Sequence, residues 1–132
     1  MDAETITPEN FSTIEWDDNY FKYCDFEGLS PEGGHIASDF SSCSFKNIDW
    51  YKGLFNICNF MECRFTNCIF LGTSFPNCKF VECTFTNCQF LKNNMNSDCS
   101  FEQAIAYACR IENCVGFGAL QVSVPTVPHS EN

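Results

Sequence analysis

Basic residues are scarce in this chain, seven Lys and Arg against seventeen Asp and Glu, and histidine occurs only twice. The formal charge of -10 works against direct binding of nucleic acid or an anionic lipid surface. It suits a basic protein surface, or a partner that normally grips a polyanion. No run approaches the roughly 18 apolar residues that span a bilayer, and the opening stretch MDAETITPENF is acidic where a secretion signal is basic and then apolar. The expectation is a cytoplasmic location and no membrane partner. G-x-S-x-G, Walker and dinucleotide motifs are lacking. Neither His35, beside Gly33 and Gly34, nor His129 has a sequence neighbour that would make it a catalytic base. The chain is therefore expected to be no enzyme and to need no cofactor.

What is abundant is phenylalanine, with 15 Phe against 4 Tyr and 2 Trp in 132 residues. One domain-sized core built from a single repeated side chain follows. Cysteine is abundant too, at eleven, an odd number without an export signal, so reduced thiols are expected rather than a disulfide framework. Their C-x4-C spacing differs from the C-x2-C pairs of zinc sites, and core packing is the expected role, with no metal.

The Phe residues are periodic. Phe40, Phe45, Trp50, Phe55, Phe60, Phe65, Phe70, Phe75, Phe80, Phe85, Phe90 and Met95 follow one another at intervals of five. Two residues before each stands a small or medium side chain, usually Cys, from Ser38 and Cys43 to Cys88 and Asn93. Both positions should face inward. A period of five fits neither an α-helix nor a flat strand, so the chain must turn a corner every five residues. A second period of 20 lies on top, because residues 59–78 and 79–98 align at nine identical positions, including Glu62/Glu82, Thr66/Thr86 and Asn67/Asn87. Four pentads make one coil, and residues 20 apart should stack in inner ladders such as Phe45/Phe65/Phe85 and Phe55/Phe75/Met95. Asn47, Asn67 and Asn87 form one outer column, read as a corner ladder serving structure.

A central Phe or Leu with a small residue two before it resembles the pentapeptide-repeat family, though that family often has Ala where this chain has Cys. The resemblance covers at least residues 38–95. It implies an all-β, right-handed, quadrilateral β-solenoid, here of about five coils. The apolar phase is one residue out before Phe40, with Pro31, Gly33 and Gly34 marking a loop, and slips again after Met95 to Phe101, Ala106 and Ile111. Residues 1–12 are expected to be an N-terminal cap or arm, residues 13–116 a single solenoid, and residues 117–132 a tail or cap strand.

Two surface features are candidates for partner binding. Residues 1–36 hold nine acids against Lys22 alone, -8 of the total -10, including Asp17, Asp18, Asp25, Glu27 and Glu32. This acidic end is either a solvated surface or the side that meets a basic protein. An outer column of Tyr51, Leu71 and Leu91, flanked by Ile69, is apolar where exposed positions are ordinarily polar. It is either a contact patch or a seat for the segment 119–124. The resemblance implies two kinds of partner, since the family includes immunity proteins that neutralise bacterial toxins, type VI secreted ones among them, and quinolone-resistance proteins that mimic DNA and bind gyrase. A solenoid of about five coils at about 4.8 Å each is roughly 25 Å long, short for a DNA mimic. The first reading, an inhibitor of a toxin such as a nuclease with a basic substrate groove, is preferred over DNA gyrase.

Overall fold

A corner every five residues requires a backbone that reverses its twist at regular points, and the computed structural model, which describes residues 1–116, shows how the chain does it. Short strands alternate with single residues in the left-handed region. Ser42, Asn47, Lys52, Ile57, Glu62, Asn67, Asn77, Glu82 and Asn87 hold φ between 53° and 58°, with Gly72 at 57° in the same series. Asn tolerates this region better than most residues that carry a side chain. That is a local reason for its recurrence at 47, 67, 77 and 87. Each corner N–H is satisfied by the next coil, as where Asn47 donates to the Thr66 carbonyl at 3.0 Å and Asn67 to that of Thr86 at 3.0 Å.

The strands form four parallel faces of a right-handed β-solenoid. The first face holds Asp17–Lys22, His35–Ser41, Asn59–Met61, Lys79–Val81 and Ile105–Tyr107. The second holds Thr5–Ile6, Asp25–Glu27, Ser44–Lys46, Arg64–Thr66, Thr84–Thr86 and Arg110–Glu112. Asp49–Tyr51, Ile69–Leu71 and Gln89–Leu91 make the third. On the fourth, Leu54–Phe55 pairs with His35 and Ile36, and single bridges continue it through Ser74 to Ser100. The regular winding makes about four turns, slightly fewer than the five counted from sequence. Residues 1–12 pair onto the first coil through Thr5–Ile6, and Phe11 and Trp16 pack over the end of the core.

Inside, the aromatic rings stack coil on coil. Phe26, Phe45, Phe65 and Phe85 lie 4.6–4.7 Å apart with planes within 5°, and Phe21, Phe40, Phe60 and Phe80 lie 5.0 Å apart. Rings on adjacent faces meet edge to face, as Phe40 and Phe45 do at 5.4 Å, an arrangement favoured by the ring quadrupole. The position two residues earlier is filled by a donor. The thiols of Cys43, Cys63, Cys83 and Cys109 donate to the carbonyls of Phe21, Phe40, Phe60 and Phe80 in the preceding coil, at 3.3–3.5 Å. Thr73 does the same with its hydroxyl, to the Trp50 carbonyl at 3.2 Å, and Ser38 to that of Trp16 at 2.8 Å. Cysteine here is thus a small apolar group carrying a weak donor.

Two expectations are corrected. Met95 is not in the core: it is 69% exposed, at the tip of an excursion over residues 92–98. Its place is taken by Phe101, stacked 5.2 Å from Phe75, so this step of the ladder is 26 residues rather than 20. Asn93, expected inside, is half-buried and ties the excursion, its Oδ1 accepting from the N–H groups of Met95 (2.8 Å) and Ser97 (3.1 Å). Cys99 takes the inner site and donates to the Phe70 carbonyl at 3.2 Å. Residues 31–34 form no strand of their own and are tied to the sheet by the single Glu32–Tyr51 bridge. The early phase slip before Phe40 falls at 37–39, where His35–Ser41 crosses a corner as one continuous strand and the register with Asp17–Lys22 shifts by one residue. The expected tail, 117–132, lies outside the described residues.

Candidate partner-binding surface

Because the faces succeed one another every five residues, neighbours in sequence are thrown to different sides of the molecule. The five acids singled out from sequence share the N-terminal coils but not one face. Asp25 and Glu27 point outward on the second face, between Thr5–Ile6 and Ser44–Lys46. Glu32 lies on the third, paired with Tyr51. Asp17 and Asp18 lie where the fourth face meets the first, Asp18 in the left-handed region at φ 54°. Together they make an acidic girdle.

Two of these carboxylates are engaged. Asp17 Oδ1 lies 3.0 Å from His35 Nδ1, both side chains about half exposed. Glu27 Oε2 accepts from Asn47 Nδ2 at 2.8 Å, starting the Asn ladder that continues from Asn67 Nδ2 to Asn47 Oδ1 at 3.3 Å. The ladder joins side chains to each other rather than to backbone groups.

Glu32 is the acid that the winding brings to the apolar column. Glu32, Tyr51, Leu71 and Leu91 follow one another down the third face, and Asp49, Ile69, Gln89 and Val115 form the column beside them. Tyr51, Leu71 and Leu91 are each half-buried. The Tyr51 hydroxyl donates to Asn94 Oδ1 from the excursion, and the Lys52 ammonium sits 5.5 Å from its ring centroid. The column is thus ordered from two sides. Asp25 and Glu27 lie around the corner on the second face, on the Asp49 side, and Asp17 and Asp18 lie at the far end of the fourth.

A second apolar strip escaped the sequence reading. Tyr20, Met61, Ile105 and Tyr107 are exposed on the first face, with Tyr23 and Ile57 at its corners. The signal was present but out of phase. Tyr20 stands 19 residues before Asp39, its register partner, and Tyr107 26 after Val81, so a search at 20 misses both.

Burial pushes the Cys83 and Cys99 thiols up from their ordinary value, so both are protonated at neutral pH. Among the described residues no group of three or more His, Cys, Asp or Glu side chains is placed to hold a metal ion. No helix among them is long and apolar enough to cross a membrane.

Comparison with known proteins bears on the repeat. Residues 58–90 match the family model of pentapeptide repeats in 8 copies, so the central coils are built of pentapeptide repeats. Among solved structures it is similar to trypsin-treated QnrB1, a plasmid-mediated fluoroquinolone resistance protein. The TM-score is 0.62 and the identity 14% over 86% of this chain and 54% of that one. The chain therefore spans about half the length of this relative. Full-length QnrB1 also matches, with a TM-score of 0.30 and 10% identity over 86% of this chain and 77% of that one. Nothing among the curated proteins matches in sequence.

Proposed function

We propose that the protein acts without catalysis, in the cytoplasm, by binding another protein, and that it is an immunity-type inhibitor neutralising a toxin by direct contact. The observation that carries this reading is the column on the third face, where Glu32 runs into Tyr51, Leu71 and Leu91 with Asp25 and Glu27 around the corner. An apolar centre edged by carboxylates on a rigid scaffold suits a basic protein surface, such as the substrate groove of a nuclease. Rigidity reduces the entropy lost on docking.

The fold likeness to QnrB1 favours a second reading, a gyrase binder that mimics DNA. Charge placement speaks against it. Residues 37–116 carry seven acids and six bases, a net of -1, whereas a DNA mimic needs negative charge along its length. The test is a pull-down with the tagged protein from its native host, with the neighbouring gene's product co-expressed, read by mass spectrometry. A stoichiometric toxin-like neighbour is the expected result. Recovery of gyrase subunits, with inhibition of supercoiling by the purified protein, would replace this reading with the second.

A further inference from the structure

The first face is the side where an apolar strip meets an ordered set of charges. Its outer positions form two columns. One runs Tyr20, Asp39, Asn59, Lys79, Ile105, and the other runs Lys22, Ser41, Met61, Val81, Tyr107. Tyr20, Met61 and Tyr107 are 51%, 50% and 59% exposed, and no described residue covers them. A shallow groove of about 300 Å³ runs over the middle of the face, between Asp39 and Lys79. Large aromatic and Met side chains along a whole sheet face are unusual on a surface that only meets water.

The order of the charges identifies the occupant. The acid Asp39 lies one coil above Asn59, whose Nδ2 it accepts from at 2.9 Å, and the base Lys79 lies one coil below. A two-fold axis along the Asn59–Met61 strand, in the plane of contact, reverses the coil order and keeps each column opposite itself. Asp39 then faces Lys79 of a second copy, twice over, Met61 meets Met61, and Tyr20 meets Ile105. Lys22 comes over the Tyr107 ring, a cation over an aromatic face. A parallel arrangement would instead set Asp39 against Ser41 and leave Lys79 against Val81. The antiparallel pairing also carries the two acidic ends, each -8 over residues 1–36, to opposite poles of the pair, so the net charge does not oppose it.

The geometry points to a second copy of this chain as the occupant of the first face, in an antiparallel, two-fold, face-to-face dimer centred on Asn59 and Met61. The third face lies on the opposite side and stays free, so the dimer presents its partner-binding columns outward in two copies. Five strand levels at about 4.8 Å make a strip of roughly 20–25 Å. That buries less than the roughly 800 Å² per partner of a standard interface, and dissociation near about 100 µM is expected.

The test is sedimentation equilibrium of the full chain and of two exposed-charge variants, Asp39→Lys and Lys79→Asp. Wild type should self-associate, and each variant alone should weaken that at least tenfold, because like charges then face one another. An equimolar mixture of the two variants should restore association, since each presents to the other the charge that its own copy lacks. A wild type monomeric to about 1 mM, association indifferent to either reversal, or a mixture no tighter than its components would overturn the dimer.

Discussion

At the residue scale, each pentad is specified by three side chains with different tasks: an aromatic ring that stacks, a small donor that reaches the preceding coil, and a corner residue that accepts a left-handed backbone. The ring carries the most energy. Phe65 is 2% exposed between Phe45 and Phe85, at 4.6 and 4.7 Å, and Phe65→Ala should cost about 3–5 kcal/mol, read as a lowered urea midpoint. Gly53 stands where other pentads have Cys or Thr, and a methyl group there would meet the Thr73 methyl at 3.5 Å, an ordinary contact. Gly53→Ala should therefore raise stability by about 0.4–1 kcal/mol through the unfolded chain, and a lowered melting temperature would show that the site cannot take the methyl. The donors set a pH limit. Burial raises the Cys83 and Cys99 thiols in the folded state, while in the unfolded chain they ionise near about pH 8.5. Folding therefore keeps its full contribution from these groups below that pH and loses it as pH rises toward the folded values. Urea midpoints should be level from pH 7 to 8 and fall toward pH 10. A flat profile would mean that the thiols titrate alike in both states.

At the scale of the strand and corner, the period of five was open to reading because inner and outer positions alternate within each three-residue strand and a single corner residue resets the phase. Phe, Cys and Asn therefore recur in fixed order wherever the coil is regular. What escaped lies where the count changes. Met95 is five residues after Phe90 and looks like the next ring, but Asn93, Asn94, Asn96 and Asp98 make a polar excursion that Asn93 closes with its side chain and Lys92 with Asp98 at 3.5 Å. The deletion at 37–39 left less of a trace, because a strand that crosses a corner without a left-handed residue needs no Gly, Asn or Pro to mark it. Corners that do hold φ near 55° are costly for branched residues. Asn87→Val should lower stability by about 1–2 kcal/mol while Asn87→Gly leaves it nearly unchanged. Equal losses in the two would assign the role of Asn87 to its hydrogen bond with Asn113 rather than to its backbone.

At the scale of the whole molecule, winding decides which charges act together. Sequence order gathers Asp17, Asp18, Asp25, Glu27 and Glu32 into one acidic run, yet the coil distributes them around its perimeter, and only Glu32 continues into the apolar column. That distribution was not legible, because the side on which a residue falls depends on every insertion and deletion before it. It separates two physical roles. Charge anywhere on the acidic end adds to the long-range field that speeds encounter with a basic partner, whereas charge at the edge of the contact also holds the complex together. With the partner in hand, Asp17→Lys with Asp18→Lys should slow association and leave dissociation unchanged. Asp25→Lys with Glu32→Lys should slow association and also speed dissociation, by about tenfold or more. All four carboxylates lie on outward positions, so melting temperatures should stay close to that of the wild type. Surface-resonance kinetics at low and physiological salt measure both rates. If the pair Asp17 and Asp18 were instead the one that changes dissociation, the contact would lie where the fourth face meets the first, and the third-face column would drop out of the binding surface.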